Sequence, residues 1–387
     1  MPKPLAGLNP SVLRWARESQ GYSIGDVAAK FKKRPEEVEA WESEDKESSP
    51  TYVQLERLAY KIYKRPVAVF FFPSPPSEPD LKQEFRTLPE FEIDNLSPDT
   101  RYHLRLARAL QLSLEELNQG SNQSEHKIFD EVEIALEKPR EAAGAIRDFL
   151  GVTLTMQRSW ASNDEALKMW RSAVEDKGVF VFKNSFKQEE ISGFSITDKE
   201  FPVIYLNNST AKARQIFSLF HELCHVILHT NSISKFDESH YDSLADAERS
   251  LEQYCNRVAA EILIPAGDFN DQIAGVSNFG DDEVSALASR YRVSREAVLR
   301  RVMDIGLVSR DYYLTKAKEW MDAASGGSRP GGNYYATRAT YLGQAYLSLV
   351  FARLYQGRIS RDETADYLGV KSKNLPGLEE LAVGVAQ

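Results

Sequence analysis

Two histidines with a glutamate directly after the first lie in His221-Glu222-Leu223-Cys224-His225. Residues four apart share one face of an α-helix, so His221 and His225 can bind a single Zn²⁺ through their imidazoles. Glu222 lies beside that face, where its carboxylate can take a proton from a zinc-bound water and pass it to a leaving amine. The alternative is two ordinary histidines on an amphipathic helix. Three of the six histidines fall within nine residues, which favours a zinc-dependent peptidase site.

The third metal ligand is not in the same motif. A catalytic zinc usually has three protein ligands and one open position. His229 lies one turn further along, and one straight helix cannot place three rings around one ion, so we predict that it is a helix-end residue. A following helix, predicted at about 244–264, is the better source. It offers the carboxylates Asp246, Glu248, Glu252 and Glu261. Glu252 is central, and a solvated acidic face is the alternative for Glu248 and Glu261.

The elements that precede the histidine motif are short β-like runs. Residues 178–184, 191–197 and 201–207 are bounded by turn residues, and the first and last are rich in β-branched and aromatic side chains. They predict a small antiparallel sheet. In zinc peptidases of this type an edge strand lines the cleft, where an extended substrate adds as another strand. Either 191–197 or 201–207 could serve.

Composition indicates a globular protein outside the membrane. Hydrophobic residues make up 42% and charged residues 27% of 387, and no apolar run approaches the ~20 residues of a membrane span. The first residues lack a secretory signal, and the two cysteines are too few for a disulfide scaffold. We therefore predict a cytoplasmic protein with no membrane partner. A net charge of −9 argues against nucleic-acid binding by the whole surface.

The N-terminal 72 residues predict a series of short helices. Ser23 is a good N-cap, and Pro35 and Pro50-Thr51 are helix-start signals. The order resembles the helix-turn-helix domain of the phage-repressor (Xre-like) family, including the Trp41-Glu42 after its recognition helix. That helix carries four glutamates within residues 35–42, which argues against ordinary major-groove recognition.

Two basic clusters could contact nucleic acid. The first directly precedes the recognition helix and comprises Lys30, Lys32, Lys33 and Arg34. DNA binding through this cluster and a role in protein interaction or dimerisation are both compatible with the sequence. The second lies within residues 284–307 and comprises Arg290, Arg292, Arg295, Arg300 and Arg301. We interpret it as a solvated face.

Two longer segments resemble a known family. The runs RQIFSLFHELCH (214–225) and EQYCNRVAAEILIP (252–265) are similar to the two signatures of the ImmA/IrrE metallopeptidases. The resemblance covers roughly residues 150–310 and implies that Glu252 is the third zinc ligand. It also implies proteolysis of a protein partner, commonly a transcriptional repressor, in stress responses or mobile-element control. Many members of the family join an Xre-like domain to the peptidase.

The alternative function is a DNA-binding transcriptional regulator or antitoxin-like protein in which the peptidase fold senses or scaffolds. The intact Glu222 favours the enzyme, because a scaffold needs the ligands but not the base. Cys224 and Cys255 stand where the family often has Gly and Ala. They are interpreted as small buried side chains, with a redox-sensitive site as the alternative. His240 and Tyr241 are candidates for stabilising the oxyanion.

The predicted fold is α+β and mostly helical. We expect a helix-turn-helix bundle at 1–72, a proline-rich linker at 73–90, a zincin-like metallopeptidase domain with the small sheet at 91–310, and a helical region at 311–387. The linker contains four prolines within residues 73–79, and a glycine-rich break at 325–332 precedes the helical tail. The sequence does not determine the oligomeric state.

Overall fold

The computed structural model describes residues 5, 7–43, 48–85, 90–188, 190–235, 244–276, 278–324 and 333–383. Contacts divide the chain into two compact units, Met1–Leu106 and Ala107–Gln387. The four predicted domain ranges stay a prediction.

The first unit is helical. Its helices are α1 (Pro10–Ser19), α2 (Ile24–Phe31), α3 (Pro35–Trp41), α4 (Tyr52–Glu56), which continues as a π-helical segment (Arg57–Tyr63), a 3₁₀ turn (Val67–Phe71), α5 (Leu81–Glu84) and α6 (Glu90–Asp94). Ser23 caps α2 through a capping box with Asp26, as the sequence predicts. The proline-rich residues 73–79 contain no helix or strand. The helix-turn-helix assignment stays a prediction.

The second unit contains a four-stranded sheet within a helical surround. The strands are β1 (Phe180–Asn184), β2 (Ile191–Ile196), β3 (Val203–Asn207) and β4 (Ser232–Lys235). Their order is β1-β3-β2-β4. β1 and β3 are parallel, whereas β2 is antiparallel to both β3 and β4.

Two expectations about this sheet are wrong. The sheet is mixed rather than antiparallel: β3 lies between β1 and β2, and it runs parallel to β1. The strands proposed to line the cleft, β2 and β3, are both interior. The edge strands are β1 and β4. The sequence gives little signal for β4, since its four residues Ser-Ile-Ser-Lys include a single large apolar side chain.

Most of the helices around the sheet contribute to a large hydrophobic core. The chain enters this unit along α7 (Pro98–Leu117), which begins in the first unit. It continues through α8 (Ile128–Glu131), α9 (Pro139–Leu150), α10 (Leu154–Ser159), α11 (Asn163–Glu175), α12 (Lys212–Ile227) and α13 (Asp246–Leu263). Phe220 on α12 meets Trp170 on α11 edge to face, with ring centroids 4.7 Å apart. This packing places α12, which carries the histidine motif, within the core.

The remaining helices complete the unit. They are α14 (Ala266–Ile273), α15 (Asp281–Tyr291), α16 (Arg295–Asp304), α17 (Arg310–Ala324), α18 (Tyr334–Leu342), α19 (Gln344–Tyr355), α20 (Arg361–Tyr367) and α21 (Leu375–Val383), with a 3₁₀ turn (Ser372–Asn374) before α21. The C-terminal helices pack on β1, where Tyr346 meets Phe182 at 5.3 Å. The predicted α+β, mostly helical class is confirmed. Among the described residues, no helix combines the length and apolarity of a membrane span.

Candidate metal centre

Helix α12 brings the histidine motif into the protein interior. From residue 218 to residue 227 every side chain of this helix is buried, including His221, Glu222 and His225. Apart from Ser218, apolar side chains and Cys224 fill the other positions and pack into the main core. Buried polar groups of this kind need partners, because leaving them unsatisfied costs free energy.

The partners come from α13. Glu252 Oε2 lies 3.2 Å from His221 Nε2, and Glu252 Oε1 lies 3.2 Å from His225 Nε2. The two Nε2 atoms are themselves 3.2 Å apart. Within the described residues, these three side chains form the one group of three or more His, Cys, Asp or Glu whose donor atoms all lie within 4.8 Å of one another.

This donor set fits a metal ion. Two imidazole nitrogens and one carboxylate are a common set of protein ligands at catalytic zinc sites. Glu252 Oε1 is buried, and its contact with His225 Nε2 at 3.2 Å does not have the geometry of a good hydrogen bond, so the three side chains do not satisfy one another completely. Glu252 is thus the acidic residue of α13 that the structure brings to the two histidines.

The neighbours of His221 and Glu252 set their protonation and orientation. His221 Nδ1 donates to Asn256 Oδ1 at 2.8 Å, which leaves Nε2 facing the other two donors. Burial opposes a charge on His221, but the hydrogen bond and negative charge of Glu252 outweigh it and raise the pKa of His221 to about 9. Burial likewise raises the pKa of Glu252, but the charges and hydrogen bonds of His225 and His221 lower it well below its usual range.

Glu222 points to the sheet. Its Oε2 atom accepts a hydrogen bond from Ser232 Oγ at the start of β4, and Ser195 Oγ on β2 lies 2.7 Å from Ser232 Oγ. All three side chains are fully buried. Glu222 Oε1 has no hydrogen-bond partner among the described residues. One carboxylate oxygen is therefore fixed and the other is unengaged. Sequence reasoning missed Ser195 and Ser232, and no motif pointed to them.

A second set of contacts fixes α13. Arg147 Nη1 donates to Ile262 O at 2.6 Å, and Gln157 Nε2 donates to Leu263 O at 2.9 Å. Arg147 Nη1 also donates to Gln157 Oε1, so the two side chains act together. These bonds satisfy carbonyls at the C-terminal end of α13, which an α-helix leaves without intrahelical partners.

Of the other predicted ligand candidates, Glu261 is buried rather than solvated. Its Oε1 accepts from Ala266 N at 2.8 Å, and its Oε2 pairs with Arg301. Arg301 therefore does not belong to a solvated face, contrary to our interpretation of that cluster. Asp246 is exposed and Glu248 half-buried, and neither belongs to the donor group.

Three further sequence expectations concern residues near the motif. His229 follows the C-terminus of α12 in the left-handed region, with φ of 52°, and is exposed. Its side chain is not in the donor group. Cys224 and Cys255 are buried and form no disulfide, and burial raises the pKa of the Cys255 thiol. Their redox role stays a prediction. His240 and Tyr241 lie outside the described residues.

The predicted DNA contacts lie around the α2–α3 turn of the first unit. Lys30 Nζ lies 5.2 Å from the centre of the Tyr22 ring, and Lys33 pairs with Glu37 at 2.7 Å. Lys32 caps the end of α2 with φ of 55°, and Arg34 is the N-cap residue of α3. DNA binding by this cluster stays a prediction.

Comparison with known families locates the centre within a recognised domain. Residues 174–303 match the model of the IrrE N-terminal-like domain, peptidase family M78. The match runs from the end of α11 into α16 and includes His221, Glu222, His225 and Glu252. It confirms the resemblance to the ImmA/IrrE-type metallopeptidases over this segment, about a third of the chain. No curated protein matches the chain.

Proposed function

We propose that this chain is a zinc-dependent endopeptidase that cleaves a protein partner. The observation that carries the proposal is the convergence of His221, His225 and Glu252 on one buried point, with Glu222 beside it. The peptidase-family match over residues 174–303 supports a hydrolase acting on peptide bonds. Two imidazoles and one carboxylate are the ligand set of catalytic zinc in well-known metallopeptidases, which supports zinc as the ion.

The three ligands would hold the zinc from two helices. When bound, zinc polarises a carbonyl and makes water a better nucleophile at neutral pH. Asn256 orients His221 by accepting from Nδ1, so that the Nε2 lone pair is presented to the ion. The contacts of Arg147 and Gln157 hold the end of the helix that carries Glu252.

Glu222 would act as the proton carrier. Ser232 holds Oε2, and the unengaged Oε1 can accept a proton from the attacking water and deliver it to the leaving amine. The edge strand β4 lies directly beside this carboxylate. An extended substrate segment would pair with β4 in the manner of an added strand.

The substrate we propose is a transcriptional repressor or a related regulator, cleaved during a stress response or in the control of a mobile element. This proposal is supported by the resemblance to ImmA/IrrE proteins over residues 174–303.

The test compares isosteric substitutions of two buried glutamates. We expect Glu222→Gln to keep stoichiometric zinc but to lower kcat for cleavage of a candidate repressor by about 10²- to 10⁴-fold, the usual contribution of a general base. Glu252→Gln should lose zinc. Zinc content is measured by elemental analysis of the purified proteins and cleavage by gel electrophoresis.

Glu115→Gln on α7 is a matched control, because Glu115 is exposed and distant in sequence from the centre. It should retain both zinc and activity. Full cleavage by Glu222→Gln would contradict the proposed base. A wild-type protein with no bound metal and no cleavage would favour the regulator or antitoxin-like alternative.

A further inference from the structure

Two cavities meet beside the candidate metal centre. The smaller, of about 120 Å³, is lined by His221, by Ser192 of β2 and by Ser234 of β4. The larger, of about 480 Å³, lies between α13 and α16. They share the lining residues Phe217, Asn256, Leu263, Ala297 and Arg300. The two cavities therefore adjoin and are together called the cleft, and Asn256, which holds His221, lines both of them.

The described walls of this cleft are predominantly basic. The cationic side chains are Arg214, Lys235, Arg257, Arg300 and Arg301, and the carboxylates are Glu296 and Asp304. The excess of positive charge contrasts with the net charge of −9 of the whole chain. Field lines concentrate in a cleft with low-dielectric walls, so the cleft favours negatively charged ligands.

The arginines that line the cleft differ in whether they already form ion pairs within the protein. Arg214 pairs with Glu296 at 2.9 Å, and Arg301 pairs with the buried Glu261. Arg257 is exposed on α13, directly after Asn256, and has no hydrogen bond or ion pair within the described part of the chain. Its guanidinium is thus available to a ligand in the larger cavity.

A buried hydroxyl group without a hydrogen-bond partner in the described part of the chain lies in the smaller cavity, at the other end of the cleft. Ser234 is 4% exposed and lines the smaller cavity, yet its hydroxyl has no hydrogen-bond partner among the described residues. Ser192 Oγ donates to Ser234 O at 3.0 Å and so fixes this part of β4. An unsatisfied hydroxyl of this kind costs free energy unless a ligand engages it.

We propose that the larger cavity is a subsite for an acidic side chain of the substrate. The occupant is an extended peptide that passes the metal centre and places an Asp or Glu side chain against Arg257. A peptide fits better than a nucleic acid because the cleft leads to His221 and to the edge strand β4, which is suited to main-chain pairing. The inference rests on the proposed peptidase function and names its substrate class.

The experiment uses the full chain with zinc and a library of peptides randomised at each position. Wild-type protein should cleave peptides with Asp or Glu at one fixed position on one side of the scissile bond, with kcat/KM about three- to tenfold above the Asn or Gln counterparts. Arg257→Gln should remove most of this preference. Arg257→Glu should reverse it in favour of Lys or Arg at the same position, an effect that a merely structural role would not give.

Arg290→Gln is the matched control, because Arg290 is exposed on α15 and does not line the cleft. It should leave the preference unchanged. Cleavage by wild type without any acidic preference, or a preference that survives Arg257→Glu, would overturn the subsite while leaving the peptidase function intact.

A binding measurement separates the two proposals. The Glu222→Gln variant should bind a fluorescein-labelled acidic peptide about three- to tenfold more tightly than its amide counterpart at low salt, with the difference shrinking as salt rises. If wild type cleaves nothing but this difference depends on Arg257, the subsite stands and the proposed chemistry fails. Displacement of the peptide by single-stranded DNA, but not by excess unlabelled acidic peptide, would reassign the cleft to nucleic acid and overturn the inference.

Discussion

Ser232 holds one oxygen of Glu222, and Ser195 in turn contacts Ser232 at 2.7 Å. The three groups come from β4, α12 and β2, so the orientation of the proposed base depends on the sheet as well as on its own helix. A carboxylate held by one oxygen keeps the other aimed at a defined point, which reduces the reorganisation needed during proton transfer.

Replacing Ser232 tests this arrangement. We expect Ser232→Ala to lower kcat by about tenfold, the effect of one lost hydrogen bond to a charged group, with KM and zinc content nearly unchanged. Ser159→Ala, at an exposed serine of α10, is the control. A parallel loss of zinc would indicate a structural role instead.

The metal-site residues could be predicted from sequence to different degrees. His221 and His225 follow from helical periodicity alone, because a spacing of four residues defines one helix face. Glu252 needed a family resemblance, since four carboxylates of one helix were open candidates. Ser195 and Ser232 could not be predicted from the sequence, because their contact depends on strand pairing between segments 37 residues apart.

At the scale of the element, strand β1 contains a lysine whose side chain is buried. Lys183 is 3% exposed and lies near Lys212 and Arg171, with Asp164 as an opposing charge. Burial first, and then the neighbouring positive charges, lower the pKa of Lys183 to about 6. Lys183 is therefore mostly neutral in the folded protein at pH 7, whereas it is charged in the unfolded chain.

The stability of the fold should depend on pH through this lysine. Between about pH 6 and pH 10.5 the unfolded state binds one more proton at this position than the folded state, so stability rises with pH across that window. We expect Lys183→Met to raise the free energy of unfolding at pH 7 by an amount on the order of 5 kcal/mol, with a smaller gain near pH 10. Denaturant titrations at several pH values measure the difference. An equal gain at every pH would contradict the titration.

The strands were less predictable than the helices. The first three were found from their β-branched and aromatic content, but their order was not, because pairing partners are chosen by tertiary packing. The Ser-Ile-Ser-Lys of β4 resembles a loop in composition. Of the four glutamates within residues 35–42, two are engaged by neighbouring side chains: Glu42, directly after α3, is buried against Arg17 at 2.8 Å, and Glu37 pairs with Lys33. The exposed acidic face of that helix is therefore smaller than its sequence suggests.

At the scale of the whole molecule, the C-terminal helices belong to the fold of the second unit. Tyr346 of α19 is 1% exposed, packs against Phe182 of β1 and donates its hydroxyl to Tyr367 O at 3.1 Å. Arg171 Nη1 of α11 donates to Thr340 O at 2.7 Å. The sequence predicted that this tail is helical, but it did not predict that the tail packs on strand β1.

This packing predicts that the tail and the peptidase-like region unfold together. We expect Tyr346→Ala to lower the free energy of unfolding of the second unit by about 3 kcal/mol, as for other large buried side chains. Tyr355→Ala, at a residue 61% exposed, should cost less than about 1 kcal/mol. Chemical denaturation followed by circular dichroism measures both. A separate early transition for the tail, with an unchanged main transition, would contradict this expectation.

The shortness of β4 limits what a substrate can gain from it. In a strand of four residues only every second residue directs its backbone groups to the open side, so an added segment makes about two pairs of hydrogen bonds there. That gain is too small to pull a stable element out of a folded partner. The cleavage rate would then depend on how often the scissile segment of the partner unfolds by itself. The local stability of the partner at that segment would therefore determine how fast it is cleaved.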